Sequence, residues 1–240
     1  MLSVKSVYKS YDGKKNALQN VSLEVESGDI FAFIGHNGAG KTTLIKSIVG
    51  LQPFDKGVIE INGINVKNHP FDTKKIVSYI PDEPDAFESL TGLEFLNFIA
   101  DAYDVPLHIR KERIEKYANE FEMKEHLNST IGSYSHGMKQ KIVIISALIH
   151  DAKLLVMDEP FVGLDPKAAF TFKNIMKEFT SEGGAIFFST HVLETAEKLC
   201  NRIAVIKNGE IVKGGKMEDV VSDESLEEVF MELLGESTHA

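Results

Sequence analysis

The run Gly35-His36-Asn37-Gly38-Ala39-Gly40-Lys41-Thr42 leaves an apolar segment, Ile30 to Ile34, and enters Thr43-Leu44-Ile45-Lys46-Ser47-Ile48. The order reads as strand, glycine loop, helix. A loop that opens a helix points several backbone N–H groups at one spot, where the helix dipole also favours negative charge. A phosphate group fits there. In the pattern G-x-x-x-x-G-K-[ST] each residue has a role. The glycines let the backbone wrap an anion, Lys41 reaches the β- and γ-phosphates, and the Thr42 hydroxyl ligates Mg²⁺. A glycine-rich turn with an exposed lysine is the plainer alternative, and the strand and helix on either side argue against it. His36 and Asn37 are loop positions that line the phosphate without a catalytic role.

The remaining segments supply a scaffold of the α/β class. Residues 1 to 34 alternate in the β manner, with Leu2 and Val4, then Val21, Leu23 and Val25 on one face and Asp12-Gly13 at a turn. This reads as an antiparallel edge leading to the loop. Gly57 to Val66 is a hairpin with Asn62-Gly63 as its two-residue turn. Lys75 to Ile80 reads as a strand, stopped by Pro81 and Pro84. From Glu88 to about His150 the period becomes helical, with Leu93, Leu96, Phe98 and Ile99, then Ile114, Tyr117, Ala118 and Phe121, spaced for a buried face. Lys153 to Asp158 is an apolar strand of the kind found at the centre of parallel sheets, and Gly184 to His191 is another. Asp165-Pro166 starts a helix with an N-cap and a proline at its first position. A last hairpin turns at Asn208-Gly209 before an acidic helix near Ser225 to Leu234.

Charge and cysteine content narrow the class further. A net charge of -10 and a pI near 5.3 argue against nucleic acid as a partner, because such surfaces are strongly basic. The single cysteine, Cys200, excludes an internal disulfide, suits a reducing compartment and reads as a small residue buried in a helix. No apolar leader follows Met1, and the most apolar stretch, Ile142 to Ile149, is far short of the roughly 20 residues that span a bilayer. Any membrane role is therefore expected to come through another chain.

Phosphoryl transfer asks a protein for a metal site, positive charge at the γ-phosphate and a positioned water. Asp158, at the end of an apolar strand, is the candidate Mg²⁺ ligand. Glu159 beside it points elsewhere and is the candidate general base toward the attacking water. His191, ending a neighbouring strand, is placed to bond the γ-phosphate and hold that water. An isolated acidic turn or strand-end histidine would more often be structural, and it is their company with the glycine loop that changes the reading.

Taken together, these residues resemble the ATP-binding subunits of ABC transporters, over essentially the whole chain. The resemblance implies a P-loop NTPase core with a mostly parallel central sheet, an N-terminal antiparallel β subdomain and an inserted α-helical subdomain. Residues 1–240 would form one domain, with its core in 1–83 and 152–240 and the helical subdomain in 84–151. Gly35 to Thr43 match the Walker A loop, Leu154 to Asp158 the Walker B strand, Glu159 the catalytic carboxylate, Gly163-Leu164-Asp165 the D-loop and His191 the switch histidine. Tyr11 falls where the family stacks adenine. Tyr134-Ser135-His136-Gly137-Met138 is similar to the signature that binds the nucleotide of the partner subunit. His136 and Met138 depart from its usual LSGGQ form and resemble the export-type branch whose membrane subunits are separate polypeptides. Asp82 stands where the family has a glutamine that reaches Mg²⁺ and contacts the membrane subunit. A carboxylate can ligate the metal, but it cannot donate an amide hydrogen bond.

The implied function is ATP hydrolysis with Mg²⁺, by a head-to-tail pair of ATP-binding subunits, two copies of this chain or this chain with a different one, working beneath an integral membrane permease at the cytoplasmic face. The implied cargo is a drug, peptide or lipid-type molecule moving outward. A soluble ABC ATPase of translation or repair is the alternative, and it would usually carry two such domains or a long coiled-coil insert.

Overall fold

The computed structural model describes residues 1–240 except 12, 14, 15, 85, 223 and 235–240. Asp12 of the expected N-terminal turn thus lies outside the described residues. In chain order the elements are β1 (Leu2–Ser10), β2 (Asn16–Val25), β3 (Ile30–Ile34), α1 (Lys41–Ile48), β4 (Lys56–Ile61), β5 (Ile64–Asn65), α2 (Pro70–Lys75) and β6 (Val77–Ile80). A helical stretch follows, α3 (Gly92–Ala102), α4 (Leu107–Glu120) and α5 (His136–Leu148), and then β7 (Leu154–Asp158) and α6 (Pro166–Ser181). The chain continues through β8 (Ala185–Thr190), α7 (Leu193–Leu199), β9 (Arg202–Lys207), β10 (Glu210–Lys216), α8 (Met217–Val221) and α9 (Leu226–Leu234).

Two sheets form. The smaller has the order β2-β1-β4-β5 and is antiparallel throughout. The larger has the order β10-β9-β3-β8-β7-β6, and every pair in it is parallel except β10 with β9. β1 is therefore an interior strand with partners on both sides, and the β3 strand that feeds the glycine loop belongs to the other sheet. The β4–β5 turn takes the form its residues require, with Asn62 at φ +51° and Gly63 at +77°.

The larger sheet is buried on both faces, which explains its near-continuous apolar strands. Ala32, Ile34, Leu155, Met157, Ile186 and Phe188 pack toward the helices α3 to α7. The alternate residues Phe31, Phe33, Val156 and Phe187 join Leu44, Ile45 and Ile48 of α1 and the inner face of the smaller sheet. Phe187 lies 5.4 Å from Phe33 and 5.6 Å from Phe31, ring centre to ring centre. Side chains of this size each contribute about 1.5–3 kcal/mol when removed from water. Burying β3, β7 and β8 in this way fixes their C-terminal ends, where the glycine loop, Asp158 and His191 begin.

Several local expectations shift. Lys75 ends α2, a helix started by Pro70 at its first turn, so the strand begins only at Val77. In α3 the buried face is Phe95, Leu96 and Ala100, whereas Leu93 and Phe98 are exposed. A capping box sets that register: Thr91 accepts from Glu94 N–H at 3.2 Å, and Glu94 accepts from Thr91 N–H at 2.8 Å. Cys200 is buried but follows α7 as its C-cap and is not inside the helix. Among the described residues no helix is long and apolar enough to cross a membrane.

Candidate functional site

Tyr11, Asn37, Gly38, Gly40, Lys41, Thr42, Thr43, Asp82, Asp158 and Glu159 line one cleft of about 340 Å³. It opens at the C-terminal edge of the parallel strands, the expected position for a site in a sheet of this kind. The glycines are dictated by backbone approach. Gly40, at φ +116°, has no room for a side chain, because a Cβ there would lie 2.5 Å from Ala17 O. A Cβ on Gly35 would lie 2.5 Å from Ile206 O, so the base of the loop is wedged against β9. Ala39 is buried in the same packing, and its N–H donates to His36 O at 3.1 Å. His36 turns its Nδ1 to Asn37 O at 2.8 Å.

Lys41 is buried, and its ammonium donates to Gly35 O at 2.7 Å and more weakly to His36 O at 3.4 Å. Burial lowers its pKa, while the charges of Glu159 and Asp158 act in the opposite direction. The loop thus holds a cation whose desolvation is only partly compensated, a setting that strengthens attraction for a phosphate.

Asp158 is 1% exposed. Its Oδ1 accepts a hydrogen bond from the Ser189 hydroxyl, and its Oδ2 is buried with no hydrogen-bond partner among the described residues. A buried carboxylate oxygen without a donor suits a hard divalent cation. Thr42, at the first turn of α1, and the exposed Asp82 line the same cleft, so the oxygen donors fit a Mg²⁺ site. Ser189 touches this site although motif spacing does not point to it. It faces Asp158 across the β7–β8 pairing, and nothing in the sequence tells it apart from Thr190 beside it.

Glu159 stands at φ +48°, in the left-handed region that costs a non-glycine residue about 1–2 kcal/mol. Its N–H donates to Ser189 O at 3.2 Å and to Ser189 Oγ at 3.1 Å, which hold it in that conformation. The turn separates it from Asp158 and sends its carboxylate to His191, with Nδ1 to Oε2 at 3.0 Å. His191 is exposed, and its backbone N–H also donates to Glu159 Oε2 at 3.3 Å. Tyr11 sits at the rim, mostly exposed, with its hydroxyl donating to Gln52 Oε1 at 2.9 Å and 3.2 Å from Thr43 Oγ1.

The residues Ser135, His136, Gly137 and Met138 do not line this cleft. They open α5, where Ser135 is the N-cap and its hydroxyl accepts from Met138 N–H at 3.3 Å. Ser135 and His136 are exposed. Asp165 caps α6 in the same way, accepting from Ala168 N–H at 2.8 Å. An ion pair with Lys141, seconded by that N–H, holds its carboxyl below the usual range.

The profile of the family described as ABC transporter matches residues 18–162. The chain is 35% identical to the ABC-type transporter ATP-binding protein EcsA of Bacillus subtilis, over 98% of this chain and 97% of that one. A solved structure described as the ATP binding subunit of an ABC transporter superposes with a TM-score of 0.94 at 36% identity, over 98% of this chain and 99% of its own. The dimeric ATP-binding cassette MJ0796, bound to ADP and Pi, shares the fold with a TM-score of 0.82 at 23% identity, over 90% of this chain and 99% of its own.

Proposed function

We propose that this chain, which belongs to the ABC transporter family of ATP-binding proteins and is an ATPase, is the motor subunit of a transport complex whose membrane-spanning part is a separate polypeptide. The observation that carries the reading is the cleft in which Lys41, Thr42, Asp82, Asp158 and Glu159 meet around the glycine loop. The nucleotide phosphates lie on the backbone of Gly35 to Thr43, with the Lys41 ammonium at the β- and γ-phosphates and Tyr11 against the base. Thr42 and Asp158, with Asp82 as an exposed third donor, would hold Mg²⁺, which supplies positive charge to the phosphate oxygens.

Hydrolysis is attack of water on the γ-phosphorus, with cleavage of its bond to the β-phosphate oxygen and departure of ADP. Glu159 takes the proton from that water. His191, with its Nδ1 3.0 Å from Glu159 Oε2, stands beside the base and is the residue placed to bond the γ-phosphate and hold that water. Ser135, His136, Gly137 and Met138, exposed or half-exposed at the start of α5, face the nucleotide of a second ATP-binding subunit in a head-to-tail pair. Asp165 belongs to the same interface. The loop carrying Asp82 touches the membrane subunit, which places the chain at the cytoplasmic face of a membrane. Drug, peptide or lipid-type export is the transport the motif style favours.

The test is ATP turnover by Glu159→Gln. Removal of a general base is expected to lower kcat by about 10²–10⁴-fold with ATP binding retained. Turnover at the wild-type rate would remove Glu159 from that role.

A further inference from the structure

In its second turn α5 reaches the loop that follows Glu159. Gln140 is fully buried; its Nε2 donates to Pro160 O at 3.3 Å, and its Oε1 has no partner among the described residues. Lys141 Nζ lies 2.7 Å from Asp165 Oδ2, its side chain only 14% exposed. One turn earlier the two backbones nearly touch. A Cβ on Gly137 would lie 2.8 Å from Gly163 O, and a Cβ on Gly163 would lie 2.5 Å from the His136 ring.

A buried amide with half its hydrogen-bonding capacity unmet is unfavourable, and an apolar side chain would fill this helix position without that penalty. What the amide gains is a hold on the carbonyl next to Glu159. Ser189 grips the N–H of Glu159 from one side, and Gln140 grips Pro160 O from the other, across a residue held at φ +48°. Left-handed backbone in a glutamate persists only when its surroundings over-determine it.

We propose that Gln140 and Lys141 are positioning residues for hydrolysis: they clamp the Pro160–Asp165 loop to α5 and so keep the Glu159 carboxylate aimed at the attacking water. The inference rests on the reading of Glu159 as the base. Phe161 anchors the same loop independently, 5.8 Å from the Phe172 ring and 6.0 Å from that of Phe188, so the loop remains folded when one polar clamp is lost.

The experiment compares steady-state ATP hydrolysis by Gln140→Met, Lys141→Met, Lys141→Arg and Glu159→Gln with that of the wild type. The two methionine variants are expected to lower kcat about tenfold with KM for ATP within about twofold, and Lys141→Arg to recover most of the loss, because the guanidinium still reaches Asp165. Unchanged kcat in both methionine variants overturns the proposal, as does a fall that Lys141→Arg fails to recover. If Gln140→Met does not fold, the Lys141 pair decides alone. Wild-type turnover by Glu159→Gln removes the base assignment and the clamp with it. Loss of turnover in Glu159→Gln beside normal methionine variants removes the clamp only.

Discussion

Replacing Ser189 with alanine tests how the buried carboxylate of Asp158 is held. Ser189 is fully buried opposite Asp158, donates its hydroxyl to Oδ1, and accepts from Glu159 N–H at 3.1 Å. Glu159 N–H would keep Ser189 O at 3.2 Å, so the substitution does not strand that amide. Asp158 would be left with neither carboxylate oxygen bonded in a site 1% exposed. A hydrogen bond to a charged group contributes about 1.5–3 kcal/mol. Unfolding free energy should therefore fall by about 2–3 kcal/mol, and Tm by about 5–10 °C in a chain of this size. Urea denaturation of the nucleotide-free protein measures it. In an Asp158→Asn background the same serine change should cost under about 1 kcal/mol, because no charge is left to satisfy. Equal losses in the two backgrounds would refute the reasoning, and so would a loss below about 0.5 kcal/mol in the wild type.

Gly38→Ala and Gly40→Ala separate strain from collision. Gly38, at φ +79°, has nothing within 4 Å of an added Cβ, whereas at Gly40 the Cβ would also lie 2.5 Å from Ala17 O, so calorimetry should find ATP affinity reduced far more by the second. His150 bears on pH. Burial pushes its pKa down from 6.5 to about 4, so the unfolded chain binds the extra proton first. Its contribution is intact above pH 6.5 and is lost as pH falls toward 4. Denaturation at pH 7 and pH 5 should show wild type losing about 2 kcal/mol more than His150→Leu, and equal losses would contradict the assignment.

Much of the site is legible in the sequence because its residues are tied to strand ends. An apolar run followed by Asp158 and Glu159, or by His191, announces a parallel strand whose end carries polar work, and the glycine loop fixes which end. The two glycine turns at Asn62 and Asn208 are equally plain, since few residues take positive φ there. What the sequence conceals depends on pairing between distant segments. Ser189 matters because β7 and β8 align it with Asp158, and Gln140 because α5 passes beside Pro160. Neither stands out among its sequence neighbours. Leu93 and Phe98 mislead for a related reason: periodicity finds an apolar stripe, while the cap at Thr91 and the packing of α5 decide which side is covered. The short helices α2, α7 and α8 escape a reading by periodicity because so few residues hold too little periodic signal.

The most direct test of the central claim is the molar mass in solution of Glu159→Gln, with and without ATP and Mg²⁺. Blocked hydrolysis should hold two subunits around two nucleotides, so ATP should double the mass from 26.6 kDa, and a further change at Ser135 should abolish the doubling. A particle that stays monomeric with saturating ATP would contradict pairing of this chain with a second copy of itself and turn the search for the second ATP-binding subunit to a different chain.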